Sequence, residues 1–182
     1  MLQRLFFPLA AFLLMAAAVP AQTTPAAADV VLQHALQQAG RENKKAFIIF
    51  HASWCGWCHR MDSLMKSPAC NKLFTDNYVI EHITILEPEN KKNLENPGGE
   101  ELYKKYHGEG MGIPYWLIFD ATGKLLADSR IRPANAAADA PGENTGCPAA
   151  KDEVDYFISV LKITSSLNAA QLQTIEKTFW MK

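Results

Sequence analysis

Apolar residues recur along this chain in two rhythms, and the rhythms alternate. Leu32, Ala35, Leu36 and Ala39 fall at the three- and four-residue spacing of one helix face. Asp29 stands before them as a candidate N-cap and Gly40 after them as a stop. Residues 46–50, Ala-Phe-Ile-Ile-Phe, are an unbroken apolar run rich in strand formers, the pattern of a strand buried on both faces. Helical spacing returns with Cys58, Met61 and Met65, with Leu64 beside them. It stops at Ser67-Pro68, because a proline ring disfavours helical geometry in the residue before it. Residues 78–86 alternate and predict a second strand, whereas the charged stretch 87–99, with Asn, Pro and paired glycines, predicts a solvated loop. A short helix over 100–107 is broken by Gly108, Gly110 and Gly112. Residues 114–119 predict a third strand, with Pro114 tolerable at its first position, and 120–128 a turn and a returning strand. Residues 129–148 show no period and are rich in Ala, Pro and Gly, long for a loop inside a compact domain. Val154, Phe157, Ile158 and Leu161 then stripe a helix, and Asn168 with Gln171 has the form of a capping box for a last one carrying Leu172, Ile175 and Phe179. The order predicts an α/β fold: a mixed central sheet flanked by helices, with extended N- and C-terminal helices.

Composition narrows the function classes. The chain has 182 residues, 48% hydrophobic and 20% charged, which is globular. Its 18 basic and 19 acidic residues give a formal charge of −1, so there is no basic surplus to bind nucleic acid. Arg4 precedes an uncharged apolar stretch over 5–19, followed by Val19-Pro20-Ala21 with small residues where a signal peptidase reads. As a helix that stretch would be about 22 Å long, short of a ~30 Å bilayer core. The expectation is a signal peptide over 1–21, a flexible lead over 22–28 and one domain over 29–182, periplasmic or secreted, with no stable membrane insertion after cleavage. All four cysteines (Cys55, Cys58, Cys70 and Cys147) would then sit where disulfides persist.

Cys55-Gly56-Trp57-Cys58 lies where a buried strand gives way to a helix. That layout puts Cys55 at the helix N-terminus, where unpaired N–H groups and the helix dipole stabilise a thiolate, and Cys58 on the sheltered side of the first turn. An exposed, activated thiol beside a sheltered one is what thiol–disulfide exchange uses: the first attacks, the second resolves.

Trp54-Cys55-Gly56-Trp57-Cys58 after a strand, Gly112-Ile113-Pro114 before another, and the hairpin turn 120–123 together resemble the thioredoxin-like family over about residues 44–161. The chain is most similar to its extracytoplasmic bacterial members. The resemblance implies Cys55 and Cys58 as the catalytic pair, a cis peptide before Pro114, and substrate pairing beside Ile113. It also implies protein thiols and disulfides as partners, a redox partner protein the sequence does not name, and no cofactor. Two departures stand out. Many members carry an Asp six residues before the first cysteine, where this chain has Ile49, and the stretch between Cys58 and Pro114 is longer than in minimal members.

Other readings compete for the same residues. Cys55, Cys58 and His59 fit a c-type haem attachment pattern, with Met61, Met65 or Met111 as a sulfur donor; adding Cys70 or His82 would make a zinc site. The pair could also be a structural disulfide in a non-catalytic binding or chaperone-like module. Trp54 and Trp57, flanking the cysteines, read as a substrate-facing apolar rim, and Trp116, Met61 and Met65 as core. Glu81 and His82 are candidates for a proton relay to Cys58, and Cys70 and Cys147 for a second, structural disulfide.

Overall fold

A computed structural model describes residues 24–133, 136 and 140–181. The expected signal peptide lies outside the described residues, and the lead is described only from residue 24. Helix α1 (Ala28–Glu42) opens on Ala27, not on Asp29, which sits in the first turn where its charge complements the helix dipole. The helix also runs past Gly40 and ends at Asn43, which takes the left-handed conformation (φ 54°) that closes a helix.

Four strands form the main sheet, in the order β2-β1-β3-β4. They are β1 (Lys45–His51), β2 (Tyr78–Thr84), β3 (Tyr115–Phe119) and β4 (Leu125–Asp128). β1 pairs parallel with β2 and antiparallel with β3, and β3 pairs antiparallel with β4, so the sheet is mixed. Because side chains alternate across a strand, β1 and β3 each feed two cores. Ala46, Ile48, Phe50, Tyr115, Leu117 and Phe119 pack on one face against α1 and Tyr103 of α4 (Gly99–Lys105). Phe47, Ile49, Trp116 and Ile118 pack on the other, against α2 (Gly56–Met65), α5 (Lys151–Thr164) and α6 (Ala169–Phe179). Burial on both faces is why residues 46–50 read as an unbroken apolar run. Met61, Met65 and Trp116 are core, with α3 (Asn71–Thr75) contributing Phe74. Asn168 and Gln171 do cap α6: Asn168 Oδ1 accepts from Gln171 N at 3.0 Å and Gln171 Oε1 from Asn168 N at 2.9 Å.

The stretch 129–148, whose composition suggests no regular element, supplies two short strands. β5 (Arg130–Ile131) and β6 (Glu143–Asn144) pair antiparallel in a separate two-stranded sheet. Buried Asp128 stabilises its base, accepting from Arg130 N at 2.9 Å, Arg130 Nη2 at 2.8 Å and Arg132 Nη2 at 2.5 Å. The expected Cys70–Cys147 disulfide is not formed: both cysteines are free and buried. Each packs into the α5/α6 core as a small apolar side chain, the commonest fate of an unbonded cysteine.

Candidate active site

α2 starts directly behind β1, and Cys55 is its N-cap. The Cys55 backbone is extended (φ −78°, ψ 99°), and its Sγ accepts from Cys58 N at 3.1 Å. Cys55 and Cys58 are disulfide-bonded, with Cα atoms 5.2 Å apart. Ile113 packs on the pair, its carbonyl oxygen 3.6 Å from Cys55 Sγ. Expected to be exposed, Cys55 is only 3% accessible, against 4% for Cys58, because its sulfur is covered by its bonded partner and Ile113. Exposure lies in the flanking rings instead: Trp54 is 57% and Trp57 51% accessible. Trp54 Nε1 donates to Leu86 O at 2.8 Å, and the Arg60 guanidinium lies over the Trp57 ring at 6.0 Å.

The peptide between Ile113 and Pro114 is cis. Gly110 and Gly112 precede it at φ 75° and 76°, a region that side chains with a Cβ rarely adopt, so the glycines suit the path of this loop. A groove of about 260 Å³ beside it is lined by Trp57, Ile113, Pro114, Asn144, Cys147 and Glu153 among others.

Two residues behind the pair were not legible as partners. Glu87, placed by its sequence in a solvated loop, is 3% exposed. Its carboxylate accepts from Ser53 N at 2.5 Å and Ser53 Oγ at 2.8 Å, tying down the turn that delivers Trp54 and Cys55. His59 reaches the same turn, its Nε2 lying 2.9 Å from Ser53 O.

A family model described as a Thioredoxin-like domain matches residues 32–137. The chain belongs to the thioredoxin-like family. In this thioredoxin-like chain the match covers the whole four-stranded sheet, Cys55, Cys58 and the Ile113–Pro114 loop, and ends before β6. No curated protein matches it. Among solved structures it is similar to a disulphide isomerase from Xylella fastidiosa Temecula1, at TM-score 0.47 and 22% identity over 62% of this chain and 80% of that one. It is similar also to the DsbD C-terminal domain of Neisseria meningitidis in its oxidised form, at TM-score 0.45 and 17% identity over 77% and 98% of the two chains. A thioredoxin from Thermus thermophilus matches at TM-score 0.42 and 15% identity over 71% and 81%.

Other candidates in this thioredoxin-like chain are engaged elsewhere. His82 Nε2 bonds Asp62 Oδ1 of α2 at 2.8 Å, while Glu81, on the opposite face of β2, lies 3.9 Å from His34 of α1. Strand parity thus separates the expected relay pair, and neither residue is bonded to Cys58. Met61 and Met65 are enclosed in the core and cannot serve a haem at Cys55 and Cys58. Among the described residues no cluster of His, Cys, Asp or Glu is arranged to hold a metal ion. Nor, among them, is any helix long and apolar enough to cross a membrane. Burial pushes the Cys147 thiol up to about 11 despite the nearby Arg60.

On β1 and β2, the His51 and His82 rings meet at a tilt of 59° with centroids 4.9 Å apart. Burial, with His82 adding to it, lowers His51 from 6.5 to about 4. Burial works to raise Asp62, but its hydrogen bond to His82, helped by Lys66, outweighs this and brings it from 3.8 down to about 2. Between 6.5 and about 4 the unfolded chain therefore takes up a proton at His51 that the folded chain refuses. Stability should fall as pH drops through that window, and Asp62 should add a further loss from 3.8 down to about 2. His51→Gln should flatten the first decline in a plot of urea midpoint against pH and leave the second. An unchanged slope in the first window would contradict the assignment.

Proposed function

We propose that this chain is an exported thiol:disulfide oxidoreductase exchanging disulfides with protein substrates through Cys55 and Cys58. One observation carries the assignment of roles: the first turn of α2 aims the Cys58 N–H at Cys55 Sγ. When the pair is reduced, that N–H and the positive end of the helix favour a thiolate on Cys55. The Ile113 carbonyl, at 3.6 Å, marks where the chain's backbone meets the reacting sulfur.

The chemistry balances in two displacements. Reduced Cys55 thiolate attacks one sulfur of a substrate disulfide. A Cys55–substrate bond forms, the substrate S–S bond breaks, and a substrate thiolate leaves. Cys58, deprotonated to solvent, attacks Cys55 Sγ; the Cys55–Cys58 bond forms and the second substrate thiolate leaves. Two electrons pass to the substrate, and the reverse sequence oxidises a dithiol. A redox partner protein would restore the starting state. Ile113 and Pro114 form the docking edge and Trp54 and Trp57 an apolar rim for the segment around the substrate cysteine. Residues 1–21 would direct export, leaving a domain over 29–182.

Brief alkylation of the fully reduced chain tests the assignment. Cys55 should be labelled first, with a pH midpoint below the ~8.5 of a free thiol. Labelling of Cys58 first, or a midpoint at or above the free value, would refute it.

A further inference from the structure

We propose that Asn144, in the β5–β6 hairpin, positions the loop on which substrate docks; the inference rests on reading Ile113–Pro114 as the docking edge. Asn144 Nδ2 lies 3.1 Å from Met111 O, 3.3 Å from Gly112 O and 3.1 Å from Pro114 O. A carboxamide has only two N–H hydrogens, so at least one is shared among these carbonyls. The Tyr103 hydroxyl adds a bond to Gly112 O at 3.1 Å. The carbonyls of residues 111, 112 and 114 are thus drawn to Asn144 and Tyr103. That of Ile113 faces Cys55 Sγ instead, at 3.6 Å.

Asn144 is itself held in place. Its Oδ1 accepts from Gly146 N at 3.0 Å, and Gly146 O accepts from Trp116 Nε1 at 3.0 Å. Thr145 N donates to Ser129 O at 2.8 Å. The hairpin is therefore anchored to β3 and to the strand end at Ser129 before it touches the loop. Only a side chain that donates at one end and accepts at the other serves both Gly146 and the carbonyls. Asp would accept at both ends and face the carbonyls with a negative charge. Asn144 also lies beyond residues 32–137, the part of the chain that the family model matches, so the clamp comes from outside the matched domain.

A loop held in its binding conformation loses less freedom when a partner docks, so the clamp should act on substrate affinity more than on sulfur chemistry. The test uses the full chain in dithiothreitol-driven insulin reduction. Asn144→Ala and Asn144→Asp are compared with wild type and with Glu143→Gln, an exposed neighbour that bonds nothing in the loop. KM should rise about tenfold in both Asn144 variants, the size of one or two lost hydrogen bonds, with kcat changing much less. Asp should be at least as damaging as Ala, although it can still accept from Gly146 N.

A purely structural role gives the opposite order. Ala, which loses the Gly146 bond as well, would be worse, with KM, kcat and urea midpoint shifting together. That order, or an unchanged KM in both variants of an active chain, overturns the role of Asn144 alone. A wild-type chain that does not accelerate insulin reduction refutes the oxidoreductase reading and this inference with it.

Discussion

Cys58→Ser should accumulate a covalent complex with substrate through Cys55, and Cys55→Ser should accumulate none. Turnover should fall by about a thousandfold or more in both, since each removes one of two obligatory displacements. The asymmetry follows from the N-cap geometry. Cys55 Sγ receives the Cys58 N–H at 3.1 Å, so attack begins there, and without the second sulfur the mixed disulfide cannot be released. Non-reducing electrophoresis and mass spectrometry of the trapped species would read the result. Equal trapping by the two variants, or trapping only by Cys55→Ser, would overturn this assignment of roles.

The largest effect on stability is expected at Asp128. It and Arg130 are each 2% exposed, and its carboxylate accepts from Arg130 and Arg132 while its backbone carbonyl accepts from the Tyr156 hydroxyl at 2.9 Å. Asp128→Asn keeps the shape and removes the charge, leaving Arg130 buried without that counter-charge. Breaking a buried pair in this way costs about 3–5 kcal/mol, against about 0–1 kcal/mol for an exposed one. The urea midpoint should drop accordingly, whereas replacing both residues at once, Asp128→Leu with Arg130→Met, should cost less than the single change. A loss of the size seen for exposed pairs would show that this cluster is not what orders the hairpin. Because the hairpin carries Asn144, KM for insulin should rise along with the destabilisation.

Local features of the fold were legible because they leave a local pattern. The two-faced burial of β1 writes an unbroken apolar run, the α6 cap needs only Asn168 and Gln171, and Cys55 and Cys58 are three residues apart. What was missed lies in contacts between distant residues. Glu87 meets Ser53 across 34 positions, and nothing in its charged neighbourhood separates it from solvated glutamates. Asn144 reaches the Ile113–Pro114 loop across about thirty residues, from a stretch whose composition suggests no structure. Glu81 and His82 fell to strand parity, which adjacent residues necessarily split between faces. Cys70 and Cys147 show the limit of counting cysteines: burial in a well-packed core accounts for both without a bond.

A catalytic Cys55–Cys58 pair and a structural one differ in what they do to a protein disulfide. Adding the full chain to insulin and dithiothreitol, and following precipitation of the reduced chains by turbidity, tests it most directly. A catalytic pair should bring precipitation well ahead of the dithiothreitol-only control, with the acceleration proportional to the chain's concentration and lost in Cys55→Ser. Precipitation at the control rate would mean a structural disulfide in a binding module, and would contradict catalysis by Cys55 and Cys58.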